Sequence, residues 1–174
     1  MRVKGINKLL KQFQQFGKDA EEEFALEVEA GARNISKIAK SEAPANNGQL
    51  RQSIQPEKIN ELNWEIIAHA SYAGYIEFGT GVMVSIPNEM KDIANAIKNN
   101  PKGDMHEAFE SIKDWCRNKG IDERAAWPIL MSILKKGLRP RPFLFPAWKQ
   151  GSAKMIKDMK KTLKVLSNKF NNAG

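Results

Sequence analysis

Glu77 sits between Ile76 and Phe78 in the run Tyr72-Ala-Gly-Tyr-Ile-Glu-Phe-Gly-Thr-Gly81. An acid among apolar neighbours is a candidate general acid or base, because burial shifts its proton affinity toward neutral pH. With no second catalytic group beside it, the commoner fate is different: backbone donors or an arginine of a neighbouring subunit satisfy it. Gly79-Thr-Gly81 is half of a phosphate-cradling loop and lacks the further glycine, the lysine and the Ser/Thr that would complete one. The two histidines, His69 and His106, are too far apart to form a metal pair at helix spacing. Asp104, His106 and Glu107 cluster where a helix should start, which is ordinary capping chemistry. Cys116 is the single cysteine and lies among Ile112, Trp115 and Ile121, the setting of an inert buried thiol. No residue set assembles into an enzyme, and no cofactor or metal is implied.

The elements that position these residues follow from periodicity. Ile6, Leu9, Leu10, Phe13 and Phe16 repeat at helical steps, giving a short amphipathic helix that Gly17 should end. Asp19 with Glu22 reads as the capping box of a second, long helix, whose buried stripe is Phe24, Val28, Ala32, Ile35 and Ala39. That helix should run to about Lys40, with Pro44 closing it and a turn at 45–48 after it. Leu50-Arg-Gln-Ser-Ile54 should open a β part, and Glu57–Asn63 should connect it to a strand over Trp64–Ala70 with Trp64 facing the core. With an edge strand, these would form a small antiparallel sheet on the long helix. Residues 82–137 read as helical: Asn88–Ile97 behind Pro87, a loop at 99–103, and Asp104–Lys119 with Phe109, Ile112, Trp115 and Cys116 on one face. Gly120 and Asp122 separate that helix from the next, with its stripe Ala126, Ile129, Leu130, Ile133 and Leu134, which Pro128 should kink. The run Leu138-Arg-Pro-Arg-Pro-Phe-Leu-Phe-Pro-Ala-Trp148 is held extended by its prolines until Pro146 opens a last helix. Trp148, Met155, Met159, Leu163, Leu166 and Phe170 form its apolar seam, and Lys154, Lys157, Lys161 and Lys164 a basic stripe opposite. The expected class is α+β, a single domain over 1–174 with a helical insertion at 82–137.

The 174 residues are enough for one well-buried domain. No apolar run reaches the ~18 residues of a membrane span, and the first residues show no signal-peptide pattern, so folding in a cytosol is expected. The net charge of +8 is uneven: residues 1–18 and 149–174 together carry +11, leaving −3 between them. Such ends suit a polyanion or an acidic protein surface, or simply keep a helix solvated. A free nucleic-acid-binding domain is therefore the alternative class. It is weakened because the aromatics lie on core stripes rather than interleaved with the basic residues.

Three motifs in order are more specific than any one. They are Gly48-x-Leu50-Arg51-x-Ser53-Ile54, then Tyr72-Ala73-x-Tyr75-x-Glu77-Phe78-Gly79-Thr80 leading to Gly81, then Arg139 and Pro142-Phe143-Leu144-x-Pro146-Ala147. Together they resemble the gene-product-10-like family of tailed phages, small proteins of the neck and tail-completion region. Asn46 and Asn47 stand where members usually carry an acid and a threonine, and the chain between Gly81 and Gly137 is longer than in the shortest members. The resemblance implies a non-enzymatic structural protein that assembles as a ring between head connector and tail tube, contacting copies of itself and neighbouring connector or tail proteins. It makes the motif residues candidates for a rigid element near a subunit junction. On the same reading the lysine stripe faces passing DNA or an acidic neighbouring ring. No membrane contact is implied.

Overall fold

A computed structural model describes residues 6–45, 48–99 and 105–172. The fold is α+β, as expected. Its longest element is α1 (Ile6–Glu42), 37 residues and about 55 Å long. This is one helix where two were expected. Gly17 lies inside it without a left-handed backbone, and Asp19 is an interior residue that accepts a hydrogen bond from Gln15 Nε2 at 2.7 Å. The reason is tertiary. Phe13 and Phe16 both pack on Phe170, with ring centroids 4.9 and 5.2 Å away, so the first turns must stay in line with the rest. That contact outweighs the roughly 1 kcal/mol an interior glycine costs.

Residues 46 and 47 of the expected turn lie outside the described residues. Gly48 follows with φ 83°, and α2 (Gln49–Ser53) begins at once. Leu50 to Ser53 are therefore helical rather than extended, a correction with a clear cause. The single helical turn puts Leu50 into the core and aims Arg51 Nε at the Ala43 carbonyl, 3.0 Å away, at the open end of α1. The strand β1 (Ile54–Asn60) then pairs antiparallel with β2 (Asn63–Ala68), Ile54 opposite Ala68 and Glu57 opposite Glu65. The connection is thus only Glu61-Leu62, with Asn60 Oδ1 accepting from Leu62 N at 3.1 Å. Among the described residues the sheet has these two strands and no edge strand. Trp64 is half-buried, with the Arg33 guanidinium 5.8 Å from its ring centroid.

A short helix α3 (Ala73–Phe78) leads to α4 (Lys91–Asn99), then α5 (Met105–Asn118) and α6 (Ala126–Lys136), with two 3-10 turns (Gly81–Met83 and Asn88–Met90) before α4 and one (Glu123–Ala125) before α6. Asp104 and the 100–103 loop lie outside the described residues. Pro128 does not kink α6, because it occupies the first turn, where no backbone N–H has an intrahelical partner to lose. The last helix, α7 (Leu144–Asn172), runs antiparallel to α1: Ile35 meets Gly151, Gly31 meets Met155, and Phe16 meets Phe170. A side chain at Gly151 would fall on Ile35, and one at Gly31 on Met155, so the two helices approach unusually closely. The core joins Ile35, Ala39 and Ala43 of α1 to Leu50, Ile54, Ala73, Phe143 and Ala147.

Candidate functional site

The second and third motifs meet in space, and Glu77 is the joint. It is 3% exposed, and its carboxyl oxygens accept three backbone hydrogen bonds: from Phe143 N at 2.7 Å, Leu144 N at 2.9 Å and Phe145 N at 3.0 Å. Those donors are the first N–H groups of α7, which no intrahelical carbonyl can satisfy. A carboxyl group 66 residues upstream therefore caps this helix, where the helix dipole also favours negative charge. The role expected from backbone donors is the one Glu77 plays. With three donors engaged and almost no surface exposed, its carboxylate is committed to the backbone of α7.

Around this joint the two chain segments cross. Arg141 N donates to the Ile76 carbonyl at 2.8 Å. Thr80 and Leu138 are tied twice, Thr80 N to Leu138 O at 3.0 Å and Leu138 N to Thr80 Oγ1 at 2.7 Å. The glycines explain themselves here. Gly79 has φ 76°, and a β-carbon on it would come within 2.6 Å of the Leu138 carbonyl oxygen. Gly137, at φ 86°, lies so close to Thr80 that a β-carbon would overlap its carbonyl oxygen, and Gly81 packs on Gly137 from the other side. Only residues without side chains let the two backbones pass at this distance.

The other motif residues surround the crossing. Phe143 is fully buried, and Leu50 and Tyr72 pack into the same core. Burial raises the Tyr72 hydroxyl above its ordinary pKa. Phe78 is buried, whereas Tyr75, Arg139, Pro142 and Pro146 are exposed. Pro146 lies in the first turn of α7, as expected. Ser53 Oγ bonds back to the Leu50 carbonyl at 2.8 Å. Neither the close approach at Gly137 nor the capping role of Arg51 is legible in the sequence; Arg51 stands nine residues beyond the end of α1, with no spacing that marks it as a cap.

The remaining candidates stand apart. Lys154 and Lys161 both grip Asp158, at 2.6 and 2.9 Å, so two lysines of the stripe share one carboxylate on their own helix. Lys157 and Lys164 point outward and make no ion pair among the described residues. The apolar seam of α7 is also rotated from expectation. Ala147, Gly151 and Leu166 are buried, while Trp148 and Leu163 are exposed, because the close approach at Gly151 turns that face toward α1. His69 meets Glu57 at 2.6 Å across the exposed side of the hairpin, a surface contact between neighbouring strands. Cys116 is fully buried in the α5–α6 unit.

No curated protein and no solved structure matches the chain. The family match ends at the glycine where the crossing begins, and the third motif reaches it only through space. Over residues 7–79 the chain matches the family described as Bacteriophage HK97-gp10, putative tail-component, which is the gene-product-10-like family that its motifs resemble.

Proposed function

We propose that this chain is a structural protein of the phage head–tail neck or tail-completion region and works as a subunit of a ring. The observation that carries the reading is the tail-component family match over 7–79. The chemistry around Glu77 supports it: the one buried acid of the motifs is spent on holding the start of α7. A ring subunit needs a stiff body and self-complementary surfaces rather than a reactive cleft. The crossing gives stiffness at one end of α1 and α7, and residues 82–137 form a helical insertion beside it. Neighbouring connector or tail-tube proteins are the other partners, met in the host cytoplasm during assembly and retained in the virion.

Sedimentation velocity on the purified chain, alone and with connector or tail-tube protein, tests this. A discrete closed species in either mixture is expected. A strict monomer that ignores both partners yet binds duplex DNA at low salt would replace the reading with a nucleic-acid-binding one.

A further inference from the structure

The α1–α7 pair is a two-helix arm with oppositely charged outer edges. Residues 19–29 hold six acids and no base, while 153–164 hold five lysines and one aspartate. Glu23 and Glu27 lie toward α7, with Glu27 accepting from Thr162 Oγ1 at 2.9 Å. Asp19, Glu22, Leu26 and Glu29 fall on the opposite side of α1, at helical spacing; Leu26 is 63% exposed, and Glu29 is paired with Arg33 of its own helix at 2.8 Å, an exposed pair that an incoming lysine would share. On the far edge of α7 lie Ile156, Lys157, Lys160, Leu163 and Lys164, all exposed.

The register of the arm makes these edges complementary. The cross-arm pairs Ile35–Gly151 and Gly31–Met155 fix which residues are level. Continued along the antiparallel helices, the same register sets Glu29 level with Lys157, Leu26 with Lys160, and Glu22 with Lys164. Sliding one copy sideways by the width of the arm would therefore lay lysines on glutamates, with Leu26 against the apolar Ile156 and Leu163 that flank Lys160. Exposed single ion pairs contribute little, but a row of them around an apolar contact sets register and suppresses wrong alignments.

We propose that the α7 edge of one copy docks on the α1 edge of the next, head to tail. The inference rests on the ring reading above and names the surfaces that such a ring would use. A contact between two different patches leaves a free copy of each at the ends, which a ring closes. The lysines Lys157, Lys160 and Lys164 then face protein rather than DNA.

Two charge-reversed chains test it, Lys157→Glu/Lys160→Glu/Lys164→Glu and Glu22→Lys/Glu29→Lys. The lysines and Glu22 are exposed, so circular dichroism should match the unaltered chain in both variants; Glu29→Lys also removes the surface ion pair with Arg33, which allows that variant a melting-temperature loss no larger than one exposed pair contributes. Each variant alone should assemble more weakly, by on the order of tenfold in apparent Kd at low salt. Mixing the two should restore assembly, because the reversed α7 edge of one variant then meets the reversed α1 edge of the other, and the two unaltered edges meet each other. If the unaltered chain assembles and the α7 variant assembles equally well, the interface is wrong while the ring stands. If the unaltered chain never assembles, alone or with tail partners, the ring reading and this interface both fall. Loss of duplex-DNA binding in the α7 variant, with sedimentation unchanged, would assign the edge to nucleic acid and overturn the proposal.

Discussion

The crossing at Glu77 and the α5–α6 unit sit side by side in one chain, and they spend their unusual residues in opposite ways. At the crossing, an acid and a phenylalanine are buried, three glycines let two backbones pass, and the carboxylate is engaged by three N–H groups of the chain itself. The α5–α6 unit closes a small core on Cys116, Ala126 and Leu130, with Phe109 edge-on to Trp127 at 5.8 Å. Its other face stays open. Trp127, Met131 and Leu134, at helical spacing on α6, are all exposed, Trp127 to 53%. The apolar arc of α6 is wider than the side that is covered, with Ser132, Lys135 and Lys136 on the remaining polar side. The buried motif residues thus mark how the chain holds itself together, while Tyr75, Arg139, Pro142 and Pro146 of the same motifs stay on the surface.

Removing the acid is the severest way to break the contrast. Glu77→Ala would leave three buried N–H groups without an acceptor, each costing about 1–3 kcal/mol, so a loss of about 5 kcal/mol is expected in urea unfolding. A loss under about 1 kcal/mol would show that water or a neighbouring group replaces the carboxyl, and the crossing would not be the closed joint described. A paired comparison of glycines is next in size. Gly137→Ala places a β-carbon on the Thr80 carbonyl in a left-handed backbone, for about 3 kcal/mol or more. Gly120, between α5 and α6, is also left-handed at φ 67°, but nothing lies within 4 Å of its would-be β-carbon. Gly120→Ala should cost only the backbone term, about 1–2 kcal/mol. Equal losses at the two sites would erase the distinction between a crossing and an open turn.

How much of this could be read from the sequence depends on what each residue answers to. The helical stripes were legible where amphipathic period and burial agree, as at Ala32, Ile35 and Ala39 of α1, Cys116 of α5 and Ala126 and Leu130 of α6, but Trp115 and Leu134, expected on those stripes, are exposed. The strand at Trp64 and the break between helices at Gly120 were legible for equally local reasons. Gly17 misled because glycine is a weak local breaker, and the deciding contact, Phe13 and Phe16 on Phe170, comes from the far end of the chain. Leu50–Ser53 misled because one helical turn is too short to show a period, and what selects it is the Ala43 carbonyl that Arg51 reaches. The motif positions were visible, and backbone donors were among the roles foreseen for Glu77. That those donors belong to the start of α7 was not visible, since pairing across 66 residues leaves no spacing signal.

On the open side of the contrast the expected effects are small in stability. Met131→Gln/Leu134→Gln should change unfolding free energy by no more than about 0.5 kcal/mol, because exposed apolar side chains lose little on becoming polar. A larger loss would mean that this face is covered within the chain, and the comparison with the crossing would need redrawing.

The smallest effect is expected on the arm, where a contact is neither buried like the crossing nor apolar like α6. Hydrogen bonds from Lys154 first, then Lys161, lower the Asp158 carboxyl to about 2. The ordinary value in an unfolded chain is about 3.9, so the folded state binds this proton less readily. The stability it contributes is therefore present above about pH 4 and is lost as pH falls through about 2. Both lysine side chains are mostly exposed, so water and salt screen the interaction. Urea unfolding of Asp158→Asn beside the unaltered chain should show a small deficit at pH 5 that narrows as pH falls below 4, and that shrinks in about 0.5 M salt. A deficit that held constant through that window would mean the asparagine loses packing rather than charge. The grip of the two lysines on Asp158 would then not be what orders this edge of α7.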